Sequence, residues 1–291
     1  MVSEEVAKKI REIEIVTRRL LNGSLIGDQR SAIKGSGFEF DQIREYQIGD
    51  DVRTIDWKSS ARMDTLLVKE YIQERDRVVI VAVDVSASTV FSSGNTLKSS
   101  IIAELASVLA LVADYSRDAV SLLLFSDDIE LSIPPGRGIQ HVRMIMEKLF
   151  TFQPRKQKTN IEVVFDRLLA HARSDSIVLL VSDFIDDSIN SSKKLSVVAR
   201  KYDLIAIRCL DRNERALPAV GFISVQDSET GQETVLDLRF SGAQKGSSFL
   251  QNHAQEQEKL FKKNGIELLD IAIEKPFIGE LVRFFKQRMS Y

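Results

Sequence analysis

Cysteine is almost absent from this sequence: Cys209 is the single thiol in 291 residues. No internal disulfide can form, which excludes a stapled secreted scaffold and fits a reducing compartment. Histidine is nearly as scarce. His141, His171 and His253 stand far apart with no ligand spacing between them, and they read as surface or packing residues. Long apolar runs are missing too. A membrane helix needs roughly 18 to 20 uncharged apolar residues, and the best stretch, 101–113, is broken by Glu104. At the N-terminus, Met1-Val2-Ser3-Glu4-Glu5 carries acids where a signal peptide carries basic residues, so a cytoplasmic location is expected.

Neither sign of charge dominates. Forty basic against forty-two acidic side chains give a net charge of −2, and the first 75 residues hold 13 Lys/Arg against 14 Asp/Glu. With no basic block to displace counterions, nucleic acid is not an expected partner. The glycine-rich segments Lys34-Gly35-Ser36-Gly37 and Pro135-Gly136-Arg137-Gly138 are neither a Walker A loop nor a dinucleotide fingerprint, and both read as flexible turns. No fixed-period repeat or low-complexity segment is present.

What is present is an ordinary globular composition, 44% hydrophobic, in a chain long enough for about two domains. Val6, Ile10, Ile13, Leu20 and Leu21 recur near helical spacing after acids in the first turn, and Asn22-Gly23 supplies a stop. Residues 27–74 then break into short alternating pieces and turns, so 1–75 is read as an N-terminal helix with a β-rich elaboration. From residue 76 the pattern changes. Val78-Val79-Ile80-Val81-Ala82-Val83 is β-branched and apolar on both faces, as a buried parallel strand should be.

Further strands are expected at 120–125, 129–133, 177–181, 204–210 and 266–271, with a β-rich excursion near Ile223 and Val235. Helices are expected at 97–115, 139–150, 161–172, 189–202, 249–263 and 277–288. Strands alternating with helices of this length predict right-handed crossovers. The fold class is therefore α/β: a doubly wound, mainly parallel sheet over residues 76–291.

The chemistry gathers at strand ends. Asp84-Val85-Ser86-Ala87-Ser88 puts one carboxylate and two hydroxyls just after the first buried strand, Thr159 precedes a helix, and Asp183 ends another buried strand. Open α/β sheets hold ligands at that edge. Hydroxyls and carboxylates without Cys or His suit Mg2+, with Mn2+ admissible, and suit Zn2+ poorly. If the hydroxyls bind directly and the two aspartates act through water, the ion stays under-neutralised and seeks an outside anion, such as a partner's Asp or Glu.

Asp84-x-Ser86-x-Ser88, Thr159 and Asp183 resemble, in order and strand context, the metal-ion-dependent adhesion site of von Willebrand factor A domains. Upstream, Gly37-Phe38-Glu39-Phe40, Arg44-Glu45-Tyr46, Gly49-Asp50-Asp51-Val52-Arg53 and the run from Ile55-Asp56-Trp57 to Arg62 resemble the signature of the bacterial family called domain of unknown function 58. These resemblances imply a von Willebrand factor A-like fold and a non-enzymatic adaptor or chaperone-like role beside a MoxR-type AAA+ ATPase. The sequence departs from the adhesion-site pattern in two places. Phe184 follows Asp183 where many A domains have glycine, and Thr89 stands where methionine is common.

Competing readings attach to the same residues. Asp-x-Ser-x-Ser taken alone is also a cap or turn, since Asp and Ser satisfy free backbone N–H groups. Arg44, Tyr46, Asp50, Arg53, Asp56, Trp57 and Arg62 could form a partner surface or brace short strands with ion pairs and a half-buried tryptophan. Asp186 and Asp187 read as a helix start. A Mg2+-dependent phosphohydrolase with Asp84 as nucleophile is the alternative from another class, although Ser86 stands where a second carboxylate would serve as acid and base. A scaffold with an inert metal site is a third. Acyl transfer is discounted, because Ser86 and Ser88 lack a glycine-flanked elbow.

Overall fold

Six described strands form one sheet, in the order β10 (Glu267–Ala272), β7 (Asp203–Leu210), β6 (Ile177–Ser182), β3 (Val78–Asp84), β4 (Ala119–Phe125) and β5 (Ile129–Gly136), and the identity of each follows from how its residues are covered. The computed structural model describes residues 4–20, 34–72, 77–90, 97–155, 158–186, 188–226 and 233–289. Strand β3 (Val78–Asp84) is buried at every position, as its run of branched apolar residues requires. It pairs in parallel with β4 (Ala119–Phe125) on one side and β6 (Ile177–Ser182) on the other. Strands β7 (Asp203–Leu210) and β10 (Glu267–Ala272) extend the parallel order beyond β6. Among the described strands of this sheet only β5 (Ile129–Gly136) is antiparallel, at the edge beside β4. The protein is thus a mixed α/β fold with a mostly parallel central sheet.

Alternate residues of β3 enter opposite cores. Val79, Val81 and Val83 join one cluster, under α1 (Glu4–Leu20), α3 (Lys98–Tyr115), α4 (Ile139–Thr151) and α10 (Ile278–Met289). Val78, Ile80 and Ala82 join the other, under α5 (Glu162–His171), α7 (Leu195–Lys201) and α9 (Phe240–Lys263). Burial on both faces makes β3 the centre of the molecule's apolar stabilisation.

The chain divides into a larger unit, residues 1–21 and 77–291, and a smaller one, residues 22–76. Helix α1, which the sequence groups with the first 75 residues, buries Ile10 and Ile13 in the core that α3 and α4 share. Glu14 receives two hydrogen bonds from Arg143 of α4, at 2.6 and 2.8 Å. In the smaller unit, β1 (Lys34–Glu45) pairs antiparallel with β2 (Leu67–Ile72), and α2 (Trp57–Met63) lies between them in sequence.

Several elements differ from expectation for identifiable reasons. Lys34 to Gly37, expected as a flexible turn, belongs to β1, with a register shift between Lys34 and Glu39. Helix α2, expected as strand or turn, is started by Asp56, whose carboxylate accepts the Lys58 and Ser59 N–H groups. Strand β5 runs through Pro134 and Pro135, expected as a break, because an edge strand tolerates prolines that donate no ladder bond. The helix expected over 189–202 is split into α6 (Ser188–Ser191) and α7. The excursion after β7 comprises α8 (Arg212–Arg215) and a hairpin of β8 (Gly221–Gln226) with β9 (Glu233–Leu238). Asn22-Gly23 and Asp187 lie outside the described residues. Among those described, no helix is long and apolar enough to cross a membrane.

Candidate functional site

The strand order reverses direction at β3: the chain leaves it for β4 on one side and comes back to β6 on the other. At such a switch point, the carboxyl ends of neighbouring strands splay their following loops apart and leave a crevice. Asp84 is the last residue of β3, and Ser182 is the last of β6, with Asp183 next.

Hydrogen bonds tie these loop residues together. Asp84 Oδ1 accepts the Ser86 N–H at 2.9 Å, closing a local turn, and Oδ2 accepts the Ser182 hydroxyl at 2.7 Å across the strand pair. The Ser86 and Ser88 hydroxyl oxygens lie 3.1 Å apart. Thr89 Oγ1 donates to the Ser86 carbonyl at 2.7 Å, so the residue standing where methionine is common pins the turn that presents Ser86. Asp84, Ser86 and Asp183 are buried, and Thr159 is 9% exposed. Thr159 belongs to the segment held by the Asn160 N–H on the Ser126 carbonyl (2.9 Å), one residue past β4. The structure thus links Asp84, Ser86 and Ser88 directly, adds Asp183 through its neighbour Ser182, and holds Thr159 at the same sheet edge.

Three participants escape the sequence reading. Ser182 is one. The others are Lys98, first residue of α3, and Glu214 of α8. The fully buried Lys98 ammonium donates to Asp183 Oδ2 at 2.8 Å and to both Glu214 oxygens at 2.8 and 3.0 Å. Asp183 Oδ1 meanwhile accepts the Ile185 N–H at 3.2 Å. A basic residue opening a helix that is apolar around most of its circumference, against the helix dipole, was a visible anomaly. The Asp211-Arg212-Asn213-Glu214 spacing was a visible capping box, and the structure forms it.

Burial pushes the Asp84 carboxyl up to about 7, the nearby Asp183 charge adds to that, and the Ser182 and Ser86 hydrogen bonds pull the other way. For Lys98, burial opposes the charged form, but Asp183 and Glu214 outweigh it and raise the ammonium above its ordinary range. Burial likewise raises Glu214, with Lys98 opposing.

The donor chemistry fits a small hard cation. Oxygens on adjacent vertices of an octahedron with metal distances of 2.0 to 2.1 Å are about 3.0 Å apart. The Ser86–Ser88 separation matches that spacing. Among the described residues two buried carboxylates, Asp84 and Asp183, face one buried ammonium at this edge, and the Asp183 charge helps to raise Asp84; a divalent ion would relieve that repulsion. Among the described residues, no three His, Cys, Asp or Glu side chains form a group able to hold a metal, so a cation here would depend on the hydroxyls.

Phe184 has φ of 53°, in the left-handed region, where its side chain costs about 1 to 2 kcal/mol. Its N–H donates to Ser182 Oγ at 3.1 Å, its carbonyl accepts from Gln257 of α9, and its ring packs edge-on against Phe261 at 5.4 Å. Burial of the aromatic ring offsets a backbone conformation that glycine adopts freely. Asp186 Oδ1 accepts the N–H of Ser188, the first residue of α6, at 2.7 Å, consistent with a helix start.

In the smaller unit, Arg44 grips Asp50 through two hydrogen bonds of 2.6 and 2.7 Å, which hold the Asp50 carboxyl down at about 2. These residues and Asp56 serve local structure. Trp57, expected half-buried, is 65% exposed at the start of α2, and Arg53 and Arg62 are exposed as well.

A family model described as "Protein of unknown function DUF58" matches residues 42–258. An uncharacterized protein of Mycobacterium tuberculosis strain H37Rv is 27% identical over 290 residues, spanning 98% of this chain and 90% of its own length. Among solved structures, the conserved hypothetical protein BatB from Bacteroides thetaiotaomicron is similar at 14% identity and a TM-score of 0.46, over 74% of this chain and 99% of its own. An aerotolerance-related membrane protein from Bacteroides fragilis is similar at 15% and 0.41, over 72% of this chain and 96% of its own.

Proposed function

This chain belongs to the DUF58 family, and from its site we propose that it is a non-enzymatic, metal-dependent protein-interaction module with a von Willebrand factor A-like domain, working in the cytoplasm. In this reading Ser86, Ser88 and Thr159 ligate Mg2+ directly, with Mn2+ an acceptable substitute. Asp84 and Asp183 orient its waters. Bound Mg2+ would supply a Lewis-acidic position that takes a carboxylate from another protein, either a MoxR-type AAA+ ATPase or a client of that ATPase.

The observation that carries the reading is the bonded cluster at the switch point, in which Asp84 holds Ser86 and Ser182 while two serine hydroxyls stand 3.1 Å apart. Both oxygens of Asp84 are already engaged, which suits an outer-sphere carboxylate better than a direct ligand. The test is a pull-down of the purified protein with a MoxR-type ATPase, in Mg2+ and in chelator. Retention should require Mg2+ and vanish in Asp84→Ala, with circular dichroism showing an unchanged fold. Equal retention in all four combinations of protein and buffer would sink the reading.

One observation favours the phosphohydrolase alternative: a lysine does lie beside Asp183. Against it, the Lys98 ammonium is fully buried and held by three carboxylate oxygens, leaving it nothing to offer a phosphoryl group. Turnover of a generic phosphate ester with Mg2+, abolished by Asp84→Asn, would reverse the ranking.

A further inference from the structure

The buried ammonium of Lys98 is unfavourably placed for the dipole of its own helix. It opens α3 at the positive end of the helix dipole, on a helix whose other buried residues are apolar apart from Ser107. Burying a lysine there costs more than burying a methionine of similar length, unless the charge itself is used. Its partners show where the charge goes: 2.8 Å to Asp183 Oδ2, and 2.8 and 3.0 Å to the two oxygens of Glu214. Relative exposures of the three side chains are 0%, 2% and 13%, so solvent does little to screen them.

Asp183 is therefore occupied on both sides, Oδ1 by the Ile185 N–H and Oδ2 by Lys98. Each carboxylate oxygen retains a second lone pair, enough to accept from a water, but chelation by Oδ2 would have to displace the ammonium. Glu214 competes with Asp183 for the same charge. It is fixed for that task by the capping box, in which Glu214 Oε2 accepts the Asp211 N–H at 2.7 Å.

We propose that Lys98 is a tethered cation that sets how tightly the site takes Mg2+, with Glu214 tuning how much of that positive charge Asp183 feels. The inference rests on the metal-dependent reading above and adds to it the residues that regulate affinity. Lys98 acts through Asp183 and is a positioning residue, not a ligand. Keeping affinity low leaves the ion exposed to an incoming carboxylate, so that ion and partner bind together.

Titration calorimetry with MgCl2, supported by Mn2+ binding followed by electron paramagnetic resonance, tests this on five proteins: wild type, Lys98→Met, Glu214→Gln, their combination and Asp84→Ala. A unit charge several ångströms away at an effective dielectric constant near 20 shifts cation affinity on the order of tenfold. Lys98→Met should bind Mg2+ more tightly by that factor, and Glu214→Gln more weakly. Lys98→Met combined with Glu214→Gln restores the charge balance and should return close to wild type. A merely structural role would weaken binding in both single variants. Should Lys98→Met not fold, Lys98→Gln, neutral but still a hydrogen-bond donor, takes its place alone and with Glu214→Gln: tighter binding in the first and near wild-type binding in the second supports the proposal, and any other pair of results overturns it. Wild-type binding that Asp84→Ala abolishes, with the single variants unshifted or shifted in the same direction, overturns this inference alone. Absence of Mg2+ binding by the wild type overturns both it and the reading beneath it.

Discussion

Ser182 Oγ stands 2.7 Å from Asp84 Oδ2 and 3.1 Å from the Phe184 amide, so one hydroxyl donates across two parallel strands and accepts from the loop that follows its own. The side chain is fully buried. Ser182→Ala removes both bonds and leaves a buried carboxylate oxygen and a buried N–H without them. An unsatisfied buried group costs about 1 to 3 kcal/mol, so the variant should lose roughly that much in urea unfolding followed by far-ultraviolet circular dichroism. A loss below a few tenths of a kcal/mol would mean that another group replaces the hydroxyl.

The raised Asp84 carboxyl has a consequence for pH. Its folded value, about 7, lies above the unfolded value near 3.8, so between these limits the folded state holds a proton that the unfolded state has lost. The unfolded state binds fewer protons, and stability falls as pH rises from about 4 to about 7. In chelator, wild type should lose more stability than Asp84→Asn between pH 5 and pH 7.5. Adding Mg2+ should reduce the difference. Identical pH profiles for the two proteins would show that Asp84 does not carry the titration.

Phe184 offers a backbone test. Truncation of a buried phenylalanine costs about 3 to 5 kcal/mol, which sets the expectation for Phe184→Ala. At an ordinary position glycine would be worse still. Here φ is 53°, so Phe184→Gly should be more stable than Phe184→Ala by about 1 kcal/mol, the relief of the left-handed strain. Denaturant midpoints of the two variants decide it, and the reverse order would remove strain from the account.

How far these features could be read from the chain depends on how local their causes are. Strand β3 was legible because six consecutive apolar residues have no other use, and Asp84, Ser86 and Ser88 were legible because their spacing is local. Asp183 was legible as the end of a second such run. The Lys98 cluster was not, since its partners lie 85 and 116 residues further along the chain and meet it only once the sheet is assembled. Helix α2 was missed because seven residues are too few to show a helical period, though its cap, Asp56, was in plain view. The prolines of β5 misled because edge position is a property of the sheet, not of the strand.

Asp56 caps α2 through the Lys58 and Ser59 N–H groups and the Ser59 hydroxyl, and it also meets Lys69 of β2 at 3.3 Å. Losing an aspartate cap costs about 1 kcal/mol, and a unit of 55 residues has little stability in reserve. Asp56→Ala should speed limited proteolysis within residues 22–76 while leaving the fragment pattern of residues 77–291 unchanged. Cleavage spreading equally through both would contradict the separation of the two units.

The hydroxyl donors also predict which ions stabilise the protein. Ser86 and Ser88 offer neutral hard oxygens, and among the described residues no Cys or His side chains cluster into a site of the kind that Zn2+ prefers. An ion that binds only the folded state at a hundred times its Kd adds about 2.7 kcal/mol. For a domain of 150 to 250 residues each kcal/mol moves the melting temperature by about 2 to 4 °C. Saturating Mg2+ or Mn2+ should therefore raise Tm by roughly 5 to 10 °C in differential scanning fluorimetry, with Zn2+ at equal concentration giving little. Ser86→Ala and Ser88→Ala should each reduce the Mg2+ increment without lowering the Tm measured in chelator by as much. If Zn2+ stabilises more than Mg2+, or the increment survives both substitutions together, the ion is bound elsewhere and the serine pair is only a turn.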